Sequence, residues 1–381
     1  MFKLNLKSFR FCLIRNNYLL LSFILLILVG AISFGEYLNC NKKIPNWINY
    51  PDKSWKKISI LEAGIDVEKF NYWLENQNPV FGVGYGGQNP TNGGVVLTRG
   101  GFVIKTWGDP NFKFQSASLG KTFTRMALQL AIDNGLIKNE NDRIFKYWSG
   151  EGYLDSHKLM YHGNHRNLTF KHLSDMTGGF PVTNGYFWRK RKKIPKWAIF
   201  SGDPEYDNYA HIKPGKRKFY SSGGYWRLSQ ALTAIWKKDL KEVLDEKIMS
   251  RIGISKNDWY WISGEEVKNN FVFYPDIPGY GDYLDKPYRI EGIPVRGGGG
   301  WVVMNAYDFA RIGLLVATNG IWKGEKLINR IDGNVGVNAN TVNGWGHIIY
   351  KDAYFSFGKV ATTFNDPKKY EMFSWIDGAI K

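Results

Sequence analysis

The chain has 381 residues, and its 51 Lys and Arg against 34 Asp and Glu give a formal net charge of +17 at pH 7. A chain of this length can bury a large core without a structural metal, and its two cysteines, Cys12 and Cys40, exclude a disulfide framework. The basic residues are scattered and carry no nucleic-acid-binding signature, so we expect no nucleic-acid partner and interpret the charge as a solvated surface that faces membrane phosphates or serves solubility.

An uncharged apolar stretch occupies residues 18–35 and follows a basic N-terminal segment. As a helix, this stretch is just long enough to cross a bilayer. The flanking charges place the N-terminus in the cytoplasm and everything after residue 36 on the extracytoplasmic, periplasmic side, with the N-terminal segment as the membrane contact. A cleaved signal peptide ending near Ala31-Ile32-Ser33 is the alternative, and it sends the body of the chain to the same compartment.

The chain divides by composition into three parts. Residues 1–36 form the anchor or signal peptide, and residues 37–60 are polar, hold two prolines and predict a tether. Residues 61–381 show no internal repeat and are predicted to form one continuous domain.

A β-hairpin and an amphipathic helix are predicted near the start of this domain. The segments VVLT (95–98) and FVIKTW (102–107) flank an Arg-Gly-Gly turn. Apolar residues then recur at helical spacing up to Gly135, namely Phe123, Met126, Ala127, Leu130 and Ala131. The first turn of this helix carries Ser118 and Lys121, whose three-residue separation places both side chains on one face.

This S-x-x-K tetrad suits nucleophilic catalysis, because an amine in a partly desolvated pocket can take the proton of a hydroxyl. The backbone amides of the helix N-terminus also suit a developing oxyanion. The tetrad occurs three times, also as Ser54–Lys57 and Ser356–Lys359, but only Ser118 follows a strand pair and opens a long helix. An ordinary N-cap serine is the alternative interpretation of Ser118.

Further motifs extend the pattern along the chain. QSASLGKTFTRMAL, residues 115–128, resembles the first motif of class C β-lactamases and their penicillin-binding relatives. HLSDMTGGFP (172–181), PGKRKFYSSGGYWRLSQAL (214–232) and IPVRGGGGWVVMNAYDFARIGLLVATNG (293–320) are similar to later segments of this family, in the same order. Three departures are plain: Asp175 stands where His is usual, Gly178 stands where Ser is usual, and Ser222 replaces Asn in the Tyr-x-Asn motif.

The resemblance implies a role for each matching residue. Ser118 would be acylated, Lys121 would hold the proton network, and Tyr220 would shuttle the proton as a phenolate or hydrogen-bonded phenol. Ser222 would offer a hydroxyl to the substrate or to Lys121. A core aromatic is the alternative interpretation of Tyr220 in a chain with 22 tyrosines.

The third family motif, Lys-Thr-Gly or His-x-Gly, has no match after residue 320. The best candidate is Ser356-Phe357-Gly358, because Asp366-Pro367 supplies the turn that the family places between the strands that follow. Gly358 would allow close approach of the substrate, and the amide of Lys359 would complete an oxyanion hole with that of Ser118. His347 is an alternative contributor.

The resemblance also implies an α+β fold of the β-lactamase/transpeptidase type, an antiparallel sheet flanked by helices. A mainly helical second lobe is expected from residue 122 to about residue 290. No cofactor and no metal are expected: His157, His162 and His165 lack carboxylate or Cys partners nearby and predict a loop with solvated histidines.

The expected activity is that of a serine hydrolase that forms an acyl-enzyme on an ester or amide bond of a small or peptide-like substrate. A true β-lactamase or D-alanyl carboxypeptidase remains open. A catalytically silent binding or sensing domain also remains open, because the Asn of the second motif is lost and the third motif is damaged.

Overall fold

The computed structural model describes residues 44, 46–68, 70–71, 94–116, 120–182, 194–270, 284–331, 346–350 and 353–357. The predicted apolar segment, residues 18–35, lies outside these ranges. Within them, no helix is both long and apolar enough to cross a membrane.

The described elements alternate between short strands and helices. The strands are β1 (Gly94–Arg99), β2 (Phe102–Gly108), β3 (Phe114–Gln115), β4 (Tyr260–Trp261), β5 (Arg289–Ile290), β6 (Ile293–Pro294), β7 (Val302–Met304), β8 (Ile321–Trp322), β9 (Glu325–Lys326), β10 (Gly346–Tyr350) and β11 (Ala353–Phe357). The helices that bear on the site are α1 (Lys121–Asp133), α2 (Phe170–Ser174), α3 (Pro204–Asp207), α4 (Ser222–Trp236), α5 (Leu240–Leu244), α6 (Gly264–Asn270) and α7 (Ala306–Ala317).

The predicted hairpin is confirmed by β1 and β2, which pair antiparallel. Gly100 and Gly101 connect them with φ of 53° and 82°, a backbone conformation that costs glycine little. The predicted helix is confirmed by α1, whose C-cap is Asn134 and which is followed by Gly135 at φ 72°. Gly120, which precedes α1, has helical dihedral angles, φ −59° and ψ −14°, whereas Ser118 and Leu119 lie outside the described residues, so the predicted first turn stays a prediction.

Part of the predicted tether packs on the domain body. The amide of Asn49 donates to the carbonyl of Gly100 at 2.8 Å, and Lys57 forms a parallel bridge with Val103 of β2. These hydrogen bonds fasten the segment from residue 47 onward to the hairpin. The domain boundaries at residues 36 and 60 remain predictions.

A three-stranded sheet in the order β3-β7-β4 leads into the site. Both ladders of this sheet are antiparallel, and so are those of β5 with β6, β8 with β9 and β10 with β11. The described residues between β3 and β5 are mainly helical, and β4 is the one named strand among them. This arrangement agrees with the expected α+β architecture and its helical lobe.

The core lies around α1 and α4. All residues of α4 from Ser222 to Thr233 are buried, which makes it the central helix of the lobe. Phe123 of α1 lies between the rings of Trp259, Trp261 and Phe309, at centroid distances of 5.9, 6.3 and 6.4 Å. Each such fully buried side chain contributes about 1.5–3 kcal/mol by leaving water, and this packing fixes the N-terminus of α1 against its neighbours.

Candidate active site

Lys121, the first residue of α1, has a fully buried side chain. Its Nζ atom lies 3.0 Å from the hydroxyl of Tyr220, 3.2 Å from the Oγ atom of Ser222 and 2.5 Å from the carbonyl oxygen of Gly299. These partners come from the loop before α4, from the first residue of α4 and from the glycine-rich loop before β7. The structure thus brings together three of the predicted site residues.

Burial lowers the pKa of the Lys121 ammonium from its ordinary 10.5 to about 7. The three partners named above are neutral, so none of them offsets the lost solvation with a full negative charge. A carbonyl can only accept, so an N–H of Lys121 must point at Gly299 in both protonation states. The hydroxyl of Tyr220 can donate to the lone pair of the neutral amine. Near neutral pH, therefore, this amine can both take and release a proton.

Tyr220 is positioned by backbone hydrogen bonds of the chain that precedes it. The amide of Phe219 donates to the carbonyl of Met176 at 3.1 Å, and the amide of Gly215 donates to the carbonyl of Thr177 at 2.8 Å. Both acceptors lie in the turn that follows α2, one of the segments singled out in the sequence. The backbone of this turn therefore fixes the position of the loop that carries Tyr220.

Asp175, which stands where the resemblance predicts a histidine, forms two ion pairs. Its carboxylate lies 3.4 Å from the guanidinium of Arg125 and 3.0 Å from the Nζ atom of Lys171. Arg125 also donates to the carbonyl of Ser174 at 3.1 Å. Because Arg125 belongs to α1, these contacts hold the turn to the helix that carries Lys121.

The two serines after Tyr220 have different tasks. Ser221 is the N-cap of α4, and its Oγ atom accepts from the amide of Gly224 at 3.2 Å. Ser222 is the first helical residue and directs its hydroxyl to Lys121. Of the two contacts expected for Ser222, the structure places it at the lysine.

The glycine-rich loop, residues 297–300, allows two helices to approach its backbone closely. A β-carbon on Gly120 would lie 2.5 Å from the carbonyl carbon of Gly300, and one on Gly298 would lie 2.3 Å from the carbonyl oxygen of Tyr225. Side chains at these positions would force α1 or α4 away from the loop. Their absence brings the Gly299 carbonyl within reach of the buried amine.

Side chains on both sides anchor this loop. Arg296 precedes it and forms a two-pronged ion pair with Asp239, with its Nε atom 2.8 Å from Oδ1. The indole Nε1 atom of Trp261 lies 3.2 Å from the carbonyl oxygen of Gly297 and 3.0 Å from that of Gly300. The loop is therefore held by buried polar contacts although its own residues lack side chains.

Ser118 itself lies outside the described residues, but its described neighbours are well placed. The amide of Ser116 donates to the carbonyl of Val302 at 2.7 Å, and its Oγ atom accepts from the amide of Val302 at 3.0 Å. Gly120 packs on Gly300. The chain on both sides of Ser118 thus contacts residues 300–302.

The candidate third motif is described in part. Ser356 lies on β11, opposite His347 of β10 in the antiparallel register. Gly358, Lys359 and the Asp366-Pro367 turn lie outside the described residues. The structure therefore places Ser356 on a strand, as expected, while the oxyanion role of its neighbours stays a prediction.

The expectation of solvated histidines is wrong for His165. His157 and His162 are exposed, whereas His165 is fully buried. Its Nδ1 atom lies 2.7 Å from the carbonyl of Lys158, and its Nε2 atom accepts from the amide of Ala210 at 3.1 Å. Burial lowers the pKa of His165 to about 3, so the neutral ring ties two loops together.

Sequence reasoning missed the carbonyl of Gly299 and the ion pair of Asp175 with Arg125. A backbone carbonyl carries no residue-type signature, and the run of four glycines from residue 297 was the available signal. The ion pair joins residues 50 positions apart, which no local pattern links.

Comparison with known proteins decides the family. The profile of the Beta-lactamase family matches residues 89–346, more than half of the chain. The chain belongs to the β-lactamase family. This match confirms the family of the resemblance stated above and the β-lactamase/transpeptidase-like α+β fold, whereas the class C assignment stays a prediction. A search of curated proteins found no match.

Several solved structures are similar to this β-lactamase family member. A candidate 6-aminohexanoate-dimer hydrolase from Bacillus anthracis is 16% identical, with 75% of this chain and 68% of that chain covered and a TM-score of 0.45. A penicillin binding protein from Bacillus halodurans is 15% identical, with 74% and 84% covered and a TM-score of 0.43. FmtA from Staphylococcus aureus is 16% identical, with 87% and 93% covered and a TM-score of 0.45.

Proposed function

We propose that this β-lactamase family member is a serine hydrolase that cleaves an ester or amide bond of a small or peptide-like substrate through an acyl-enzyme. Family membership supports serine hydrolase chemistry in general. The observation that carries the finer proposal is the fully buried amine of Lys121, bonded to Tyr220 and Ser222. A buried lysine whose pKa lies near 7 is suited to proton transfer, unlike a solvent-exposed lysine, which stays protonated at neutral pH.

In the proposed reaction, the Oγ atom of Ser118 attacks the substrate carbonyl carbon while its proton passes to the neutral amine of Lys121. Tyr220, whose hydroxyl is 3.0 Å from that amine, relays the proton to the leaving alcohol or amine as the C–O or C–N bond breaks. Water then attacks the carbonyl carbon of the acyl-Ser118 ester and passes its proton through Tyr220 to Lys121. The bond between the acyl carbon and Oγ breaks, Oγ takes the proton from Lys121, and the carboxylic acid product leaves. The backbone amides of Ser118 and Lys359, with Gly358 beside them, are proposed to stabilise the oxyanion.

The substrate class follows from what the motifs lack. No Lys-Thr-Gly follows residue 320, so the chain lacks this motif's lysine, the cation that the family is expected to use for the carboxylate of a β-lactam or D-alanyl peptide. Ser222 is shorter than the usual Asn and already directs its hydroxyl to Lys121. These two departures favour an esterase or amidase over a β-lactamase or D-alanyl carboxypeptidase. No cofactor is needed for this chemistry.

We also propose that residues 18–35 anchor the chain and that the hydrolase domain, within residues 61–381, lies on the extracytoplasmic side. The basic residues before the apolar stretch support this orientation. Protease added to intact spheroplasts should digest the domain if the orientation is right. Protection of the domain until the cells are lysed would contradict it.

The activity is tested by intact-mass spectrometry of the full chain after exposure to a fluorophosphonate and, separately, to a penicillin. A fluorophosphonate adduct that is lost in Ser118→Ala is expected, because only an activated serine reacts. The matched control is Ser54→Ala, which removes the serine of an exposed S-x-x-K tetrad and should keep the adduct.

The outcomes separate the remaining candidates. A penicilloyl adduct on Ser118 would restore β-lactamase or D-alanyl carboxypeptidase function. Absence of any adduct on folded protein would refute the hydrolase and leave a silent binding domain.

A further inference from the structure

A cluster of exposed cations lies on the loop that leads into Tyr220. Residues 213–218, which we call the basic loop, read KPGKRK and contain four cations and no acid. Its cationic side chains are all exposed: Lys213, Lys216, Arg217 and Lys218.

These cations have no partner in the part of the chain that the structure describes. Neither a side-chain hydrogen bond nor an ion pair involves any of the four there. Other exposed basic residues do find acids, as Arg289 does with Glu265 and Arg251 with Glu325. Like charges held together repel one another, so an unpaired cluster produces a local positive potential available to a ligand.

The basic loop is held in place by its backbone. Its Gly215 amide donates to the carbonyl of Thr177, and the amide of Phe219, just after the loop, donates to Met176. The ring of Phe219 also packs edge-on against that of Trp197, with centroids 5.4 Å apart. The cations therefore project from a backbone fixed on the same turn that positions the phenol.

The basic loop is close to the proposed chemistry. An extended chain spans at most about 3.6 Å per residue, so the Cα atom of Lys218 lies within about 7 Å of that of Tyr220 and that of Lys216 within about 14 Å. The nearest acid of the neighbouring turn, Asp175, is already paired with Arg125 and Lys171. Within the basic loop and the turn it contacts, the described cations are therefore unpaired while the carboxylate of Asp175 is already paired.

We infer that the basic loop recognises the substrate and that this substrate carries several negative charges outside its scissile bond. This inference rests on the proposed hydrolase function and deepens it. The basic loop would recognise anionic groups without the missing Lys-Thr-Gly motif, because electrostatic attraction by exposed cations does not require a lysine on a sheet-edge strand.

The test compares two chromogenic esters hydrolysed by the full chain in neutral detergent, 4-nitrophenyl butyrate and 3-carboxy-4-nitrophenyl butyrate. They share the acyl group, and the second carries a carboxylate on its leaving group. We expect kcat/KM for the carboxylated ester to exceed that for the neutral ester by roughly tenfold at low ionic strength, a preference that added salt suppresses. In the triple variant K216Q/R217Q/K218Q the ratio should fall to about 1.

Two control variants keep the result interpretable. The charge-conserving variant K216R/R217K/K218R should keep the preference. The remote neutralisation K53Q/K247Q/K256Q removes the same charge from exposed lysines of other segments and should also keep it. A preference equally weakened by the remote variant would show that net charge alone is responsible and would overturn the proposal.

Failure of the inference and failure of the proposed function give different results. Equal kcat/KM for both esters in the wild type refutes recognition by the basic loop and leaves the hydrolase intact. If neither ester is hydrolysed, the proposed function fails, and the inference is tested by binding of inorganic polyphosphate, measured by thermophoresis. Binding should be lost in K216Q/R217Q/K218Q and kept in the remote variant. A third outcome concerns the enzyme in vesicles with anionic lipid. If the triple variant keeps the ester preference and loses only the effect of anionic lipid on the turnover rate, the loop is a membrane contact and the inference is wrong.

Discussion

Replacing Lys121 with methionine removes the buried amine while keeping a side chain of similar length. In the unfolded chain, lysine keeps its proton up to its ordinary pKa of 10.5, whereas burial lowers the pKa to about 7 in the folded protein. Between these two values the unfolded state binds more protons than the folded state. Linkage then requires wild-type stability to rise with pH through this window, by at most about 1.4 kcal/mol per pH unit. Below pH 7 both states are protonated, and the destabilisation by the buried charge is constant and largest.

The measurement is urea unfolding of the wild type and of Lys121→Met, followed by tryptophan fluorescence from pH 6 to 9. The difference between their free energies of unfolding should change by roughly 2 kcal/mol in favour of the wild type between pH 7 and 9. Other titrating groups are common to both proteins and cancel in the difference. A difference that does not depend on pH would show that the folded protein holds Lys121 with an ordinary pKa, and the argument for a proton-accepting amine would fail.

Three further outcomes follow from the same geometry. The rate of labelling by a fluorophosphonate should fall about tenfold per pH unit below pH 7, because only the neutral Lys121 amine accepts a proton; a flat profile across that range would contradict this. Tyr220→Phe removes the hydroxyl 3.0 Å from the amine and should lower kcat roughly 10²-fold with little change in melting temperature, so an unchanged kcat would exclude the relay. Gly120→Ala places a β-carbon 2.5 Å from the carbonyl carbon of Gly300 and should lower the free energy of unfolding by about 1–3 kcal/mol. The same variant should also lose fluorophosphonate labelling. In Gly224→Ala, the matched control, the nearest atom is 3.6 Å away and a helical glycine is replaced, so stability should rise by about 0.5–1 kcal/mol; similar losses in both variants would refute the packing argument.

The sequence predicted what local periodicity and motif order can specify. The hairpin β1–β2 follows from two β-rich segments around a glycine turn, and α1 follows from its helical spacing. The motifs also singled out Lys121 and Tyr220, residues 99 positions apart that the structure joins by a hydrogen bond.

What the sequence did not predict depends on tertiary contacts. The Gly299 carbonyl belongs to the backbone and has no residue-type signal. His165 was expected in solvent, but its two ring nitrogens satisfy backbone groups of separate loops, and this permits burial. Asn49 lies in a polar segment without periodicity, and its hydrogen bond to Gly100 joins residues 51 positions apart, which no local pattern links.

The glycine-rich loop has a consequence for engineering this enzyme family member. A β-carbon on Gly298 would lie 2.3 Å from the carbonyl oxygen of Tyr225, and one on Gly297 would lie 2.8 Å from the ring of Trp301, so substitutions at these two positions would displace their neighbours. The basic loop, by contrast, presents solvent-facing side chains on a backbone fixed by amide hydrogen bonds. A library designed to change what the protein accepts should therefore diversify residues 213–218 and keep Gly297 and Gly298 invariant.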